Sequence, residues 1–305
     1  ELERRLHATH ALSLCLDKEP LKFVPTELAD NPLNVDGNAL ADDICTVLTE
    51  ERDRRGFGSA EYTVGKPQLN KQIEANLVKL LADLGVEMSD VLEDRFDMIT
   101  RTLRSSDAGL QKQGVRAISA LVKGEVELTP EAIDECQRVL ASGADEIQPA
   151  ILNVLARVAE QDSDLVIDTF DDVHDLLVNS PSKRVVQQAL NVLRPLSNDH
   201  PEVVLDCLSV LNRELDTNSQ RRPLALFVLQ NLASEYPEQV AKAISQSRIR
   251  RLAFERTDPR TIGSALLLID HIGEYAELQF TQDQKDRLIE YLTSDEKAIF
   301  KGAKS

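Results

Sequence analysis

The chain has 305 residues and a formal charge of −17, with 52 Asp and Glu against 35 Lys and Arg. Nucleic acid and anionic membranes both select clustered Lys and Arg that displace counterions, so this balance argues against a general affinity for either. Trp is absent and aromatic residues make up 4%; Leu, Val, Ile and Ala supply the apolar volume, which suits helix-on-helix layers and an all-α fold.

Residues 1–16 pattern as a helix with Leu2, Leu6 and Leu12 or Leu14 inward, and Pro20, Pro25 and Pro32 bar its continuation. A second helix is predicted over 38–52 on the stripe Leu40, Ile44, Val47 and Leu48. Segment 53–67 then holds three glycines and ends in Pro67, the marks of a loop. Long loops in compact folds tend to be functional or disordered, and Phe57, between two glycines, is a candidate partner contact. No G-x-x-x-x-G-K-[ST] spacing makes it a phosphate loop.

From Leu69 onward the pattern is a succession of helical pairs. Leu69, Ile73, Leu77, Leu80 and Leu84 form the first stripe, Gly85 reads as a helix stop, and Ser89 as the cap of a helix carrying Leu92, Phe96, Ile99 and Leu103. The second pair places Leu110, Gly114, Ile118 and Leu121 on one helix. Thr129-Pro130-Glu131 then opens another with Ile133, Cys136, Val139 and Leu140.

One phrase then occurs three times. It runs from Ile147 through Ile151 and Leu155 to Val158, from Val185 through Ala189 and Leu193 to Leu196, and from Arg221 through Ala225 and Leu229 to Leu232. Leu155, Leu193 and Leu229 lie 38 and 36 residues apart, the period of helical solenoids in which each unit buries its face on its neighbours. Each phrase is followed by a second helix opening near Ser163, Pro201 or Pro237; in the last two, Glu follows Pro at the dipole-positive end. Pro195, inside a first helix, predicts a kink. The last unit keeps the skeleton with Thr261, Ala265, Ile269 and Ile272 inward, a turn near Gly273, and a helix from Gln282 through Leu288, Ile289 and Leu292. A weaker segment follows at 295–300.

Six pairs result, at about 69–105, 107–143, 145–180, 182–217, 219–257 and 259–300. The expected domain division is a helical cap with two long loops over 1–67 and a repeat array over 68–305.

The phrase of an apolar residue, a small one four later and Leu at eight and eleven resembles the first helix of HEAT repeats, with armadillo-like arrays the nearest relative. It is seen in Val185, Ala189, Leu193 and Leu196, in Ala225, Leu229 and Leu232 with Arg221 in the leading place, and in Ala265, Ile269 and Ile272 after Thr261. The resemblance covers about three quarters of the chain and implies a right-handed superhelical α-solenoid of about six HEAT-like pairs. The usual Val-Arg opening occurs once, at Val115-Arg116, out of register with the phrase, so no binding residue is carried over.

Such a solenoid implies a non-enzymatic scaffold or adaptor that binds another protein along an extended surface. The alternative is an enzyme acting on a macromolecule, because HEAT-like arrays include DNA glycosylases and bilin lyases. A glycosylase needs a basic groove with aromatic platforms, against the charge and composition here. A lyase needs a tetrapyrrole pocket, and the scattered Tyr and Phe indicate none. No cofactor or metal is expected: Asp168, Asp171, Asp172 and Asp175 share a helical face, but isolated helical carboxylates normally lie in solvent. His7 and His10 have no third ligand in view. Cys15, Cys45, Cys136 and Cys207 occur singly, as buried thiols do, and no apolar run approaches the ~18 residues of a spanning helix. With no signal-peptide pattern at the start, a cytoplasmic location is expected.

Against the acidic body, Arg248, Arg250, Arg251, Arg256 and Arg260 crowd the end of the fifth pair, with Arg221 and Arg222 one repeat earlier. They are the candidate partner-binding residues. The occupant would be an acidic partner segment or the Asp168–Asp175 face of a second copy. Charge reversal of Arg248, Arg250 and Arg251 is expected to abolish docking with little effect on stability. The competing structural account has them paired with Glu214, Asp216 or Asp258.

With 13 Lys against 22 Arg, the surface is similar to that of proteins from salt-loving microbes, where high ionic strength screens self-repulsion. The melting temperature should therefore rise from low to molar KCl, and a flat or falling curve removes the salt-adapted reading.

Overall fold

A helix that is apolar along one stripe must cover it, and these helices do so with their neighbours in sequence. The computed structural model describes residues 22–24, 34–56, 67–92, 95–142, 146–216, 221–256, 258–276 and 278–292. The expected helix at 1–16, the candidate contact Phe57 and the segment 295–300 lie outside the described residues. Two compact units divide the chain, Glu1–Arg157 and Val158–Ser305.

In the first unit, β1 (Lys22–Val24) and β2 (Asn34–Asp36) pair in parallel, Phe23 opposite Val35. This short ladder departs from a purely helical expectation. Phe and Val suit an extended backbone. Helices α1 (Gly37–Gly56), α2 (Pro67–Glu87), α3 (Phe96–Leu103), α4 (Ala108–Lys123) and α5 (Pro130–Ser142) follow. Helix α1 runs four residues beyond its expected end, so 53–56 belong to helix and not to loop. Helix α2 packs on α4, and α3 on α5, so that first helices stack on first helices and second on second.

Helix α6 (Gln148–Gln161) carries the chain into the second unit. There α7 (Phe170–Asn179), α8 (Lys183–Asp199), α9 (Pro201–Val204), α10 (Leu208–Glu214) and α11 (Arg221–Glu235) are followed by α12 (Pro237–Ala243), α13 (Gln246–Phe254), α14 (Pro259–Ile272) and α15 (Gln282–Leu292). Short 3₁₀ turns at Ser89–Leu92, Ser163–Thr169 and Leu205–Cys207 complete second helices that are not continuous. The repeated phrase lies in α6, α8 and α11, and Val185, Ala189, Leu193, Leu196, Ala225, Leu229 and Leu232 are all fully buried. Helix α11 packs between α8 and α14.

Local chemistry sets the boundaries. Asp107 accepts from the Leu110 amide at 3.0 Å, Ser182 from Val185 at 3.4 Å and Asp258 from Thr261 at 3.1 Å, each supplying an acceptor to an amide with no partner in its own helix. Helices begin at Pro130, Pro201 and Pro237 as the Pro-Glu punctuation predicts. Helix α8 continues through Pro195 to Asp199. Proline cannot donate to the carbonyl four residues earlier, and the adjoining turn instead gains Ser197, whose hydroxyl donates to the Arg194 carbonyl and accepts from Asn231 of α11 at 3.0 Å.

Two expectations change at the level of single residues. Ile269 is only half-buried, the face being filled by Leu266 and Leu268. Gly85 does not stop its helix: α2 runs on to Glu87, and a Cβ at Gly85 would collide with a Leu92 methyl and lie 2.9 Å from Leu121. The glycine is there for close approach. Gly85→Ala would gain about 1 kcal/mol of helix propensity. It would also force two fully buried leucines aside, so a net loss of about 1–2 kcal/mol in chemical denaturation is expected. Unchanged or higher stability would show that Leu92 has room to move.

Candidate functional site

The arginine cluster is built where the fourth pair ends, the fifth folds over it and the sixth begins. The sequence pattern anticipates one helix through Val240, Ile244, Ile249 and Leu252, and all four are buried. The helix, however, breaks between α12 and α13, with Ile244 and Ser245 extended. Ser245 sits at the cap position without a side-chain capping bond; its hydroxyl lies 2.8 Å from that of Ser247. The break places both serines on the wall of a cleft of about 590 Å³ that is also lined by Asp216, Arg248, Arg251, Glu255 and Arg256.

Asp216, in the turn after α10, fixes the arginines in place. One carboxylate oxygen accepts from Arg248, the other from Arg251 at 2.8 Å. Arg248 also donates to the Asn212 carbonyl at 2.7 Å and to the Asn212 side chain at 2.6 Å. Arg250 turns the other way and donates to the Gln279 carbonyl at 2.7 Å. The Arg221 guanidinium lies 3.0 Å from Glu214, both side chains being largely buried. Arg222 is buried and donates to the Leu215 carbonyl at 3.0 Å. Burial, and after it Arg256 and Arg251, push its guanidinium below the ordinary value, while Asp258 and Asp216 act the other way. The Thr261 hydroxyl outweighs partial burial and holds the Asp258 carboxyl below the ordinary carboxylate value.

Of the residues expected from sequence, Arg248, Arg251 and Arg256 are thus brought together with Arg222 close by, while Arg221 pairs with Glu214. Arg250 points to the next repeat, and Arg260 is exposed on the first turn of α14 beside Asp258. Ser245, Ser247 and Glu255 were missed as site residues. The available signal was Ser245-Gln-Ser247 after Ile244, a helix-start pattern inside what reads as one apolar stripe.

Other polar and thiol groups lie apart from the cleft. The acidic residues Asp168, Asp171 and Asp175 are exposed and Asp172 half-exposed; Asp175 accepts from Asn179, and His174 stacks on Phe170 at 5.9 Å. Among the described residues no group of three or more His, Cys, Asp or Glu is placed to hold a metal, and no helix is long and apolar enough to cross a membrane. Burial pushes the Cys136 and Cys207 thiols up to about 12, where the nucleophilic thiolate is scarce.

Stacked helical pairs of this kind define an all-α repeat array. The chain has the HEAT-like repeat fold: it is similar, with a TM-score of 0.50 and 19% identity, to the archaeal HEAT-like repeats protein of Thermococcus onnurineus NA1, over 81% of this chain and 100% of that one. It is also similar to the karyopherin Kap121p bound to the SUMO protease Ulp1p, with a TM-score of 0.44 and 12% identity over 88% of this chain and 33% of that one. The same karyopherin bound to Pho4p gives a TM-score of 0.46 and 12% identity over 98% and 35% of the two chains. The chain therefore spans about a third of the karyopherin's length. No protein-family model and no curated protein sequence matches it.

The geometry revises the expected effect of reversing Arg248, Arg250 and Arg251. Arg248→Ala removes three bonds to the preceding pair and should lower stability by about 1.5–3 kcal/mol, because hydrogen bonds to a charged group are among the stronger ones. Arg251→Ala removes one half-exposed ion pair and should cost less than about 1 kcal/mol. Urea denaturation separates the two, and equal losses would contradict the assignment of Arg248 as the structural member.

Proposed function

We propose that this chain is a non-enzymatic protein-interaction array, in which the cleft between Asp216 and Arg256 receives an acidic segment of a partner protein. The observation that supports this is local inversion of charge: a chain of formal charge −17 gathers Arg248, Arg251 and Arg256 around one polar cleft with Arg222 nearby. Opposite patches steer encounter and fix register, and an array of stacked helices provides such a surface without a dedicated pocket. Of the seven arginines singled out by sequence, we assign Arg251, Arg256 and Arg260 to contact with the partner, and Arg221, Arg222, Arg248 and Arg250 to holding the cleft in shape. The division into a cap over 1–67 and an array over 68–305 belongs to the same reading, with the cap closing the first apolar face. Singly placed thiols and the acidic surface are in keeping with a cytoplasmic, salt-adapted protein.

The test is fluorescence anisotropy with a labelled Glu/Gly-rich peptide. Binding should weaken steeply as salt rises, since exposed charges are screened beyond about 8–10 Å near physiological ionic strength. The double variant R251Q/R256Q should lose at least about tenfold in affinity, with its folded state checked by circular dichroism. Undiminished binding by a folded double variant would move the docking surface elsewhere, the segment around Phe57 being the next candidate.

A further inference from the structure

We infer that the anchor of the partner segment is a phosphomonoester dianion on a serine or threonine side chain; this rests on the docking reading above and adds to it the chemistry of the group that enters the cleft. Charge is the first consideration. Among the described residues, the guanidiniums of Arg248, Arg251 and Arg256 line the cleft and that of Arg222 is buried behind them, against the carboxylates of Asp216 and Glu255, while the neighbouring Asp258 and Arg260 offset one another. The surplus is two positive charges. A single carboxylate neutralises half of it, whereas a phosphomonoester carries roughly −1.5 to −2 near neutral pH.

Competition is the second. Asp216 already occupies one face of Arg248 and of Arg251. An entering carboxylate would meet Asp216 on equal terms, as one monoanion against another. A phosphate brings three acceptor oxygens, enough to engage Arg251 and Arg256 together while Asp216 keeps Arg248 in place.

The third is the donor set on the cleft wall. Ser245 and Ser247 are exposed, and their hydroxyls are directed at each other, 2.8 Å apart. Each hydroxyl has one proton and two lone pairs, and their mutual contact uses one of the two protons, so the pair offers an incoming oxyanion one donor as it stands and a second when that contact is exchanged for the anion. Clustered arginines are a recurring means of recognising phosphorylated segments, and the serine hydroxyls add to them here. The open cleft of about 590 Å³ leaves space for the residues flanking the anchor.

Nuclear magnetic resonance titration of the full chain tests this with three probes: a Glu/Gly-rich peptide with phosphoserine at its centre, the same peptide with Glu there, and inorganic phosphate. The phosphoserine peptide should bind at least about tenfold tighter than the Glu peptide, shift the Arg251 and Arg256 side-chain signals, and weaken as pH falls through about 6, where the phosphate takes up its second proton. Ser247→Glu, on an exposed position in the first turn of α13, should abolish that preference by placing a fixed carboxylate in the cleft without unfolding the helix. Equal affinity for the two peptides overturns the phosphate anchor and leaves acidic docking standing. Failure of both peptides overturns both readings. Inorganic phosphate binding as tightly as the phosphopeptide overturns the protein segment as the source.

Discussion

The apolar stripe of α11 has to be covered from two sides, and α8 and α14 cover it. That requirement sets the terms on which polar groups can act. Side-chain bonds between pairs fall at about one repeat of sequence separation. Arg138 reaches the Leu103 carbonyl, Ser163 reaches Asp199, Asn231 reaches Ser197, Gln230 reaches the Ser264 carbonyl, and Arg248 reaches Asn212, at separations of 34 to 36. Each tie binds a pair to the next, so stability is assembled locally, as a chain of nearest-neighbour contacts.

The arginine cluster is one of these ties, enlarged. Arg248 closes the junction between α10 and α13 as Arg138 closes that between α3 and α5. What distinguishes the later junction is the extra cationic residues around it and the helix break that opens a cleft beside them. A structural ion pair and the proposed docking site therefore share Asp216, which keeps Arg248 in place and leaves Arg251 about half exposed. The arrangement is economical in residues, and it means that the most conspicuous basic run in the sequence is not uniformly available to a partner.

Periodicity was readable because burial enforces it. Leu193 and Leu229 have no exposed surface, and a polar residue at either place would leave a buried group without a partner. Proline at a helix start was readable because it acts through the backbone at its own position. The break at Ile244–Ser245 was not, because the buried residues on either side keep helical spacing and the interruption falls between them. Gly85 misled for a related reason: its role is set by Leu92 and by Leu121 on another helix, and a glycine near a helix end has a cheaper local explanation. In the site, the arginines were visible as residue types. Their partners are backbone carbonyls and a turn carboxylate one repeat away, which no local pattern encodes.

Many of the ties between pairs end on backbone oxygen. Leu103, Ala243, Ala253, Ser264, Ala276 and Gln279 all accept through their carbonyls, from Arg138, Asn212, Tyr291, Gln230, Gln246 and Arg250 respectively. A carbonyl is present whatever side chain is attached, so the accepting helix can change its surface residues without breaking the bond. Only the donor and the apolar stripe are held. An array assembled in this way is free to drift across most of its exterior over evolutionary time while its architecture persists, and new binding chemistry can arise on one unit without renegotiating the others.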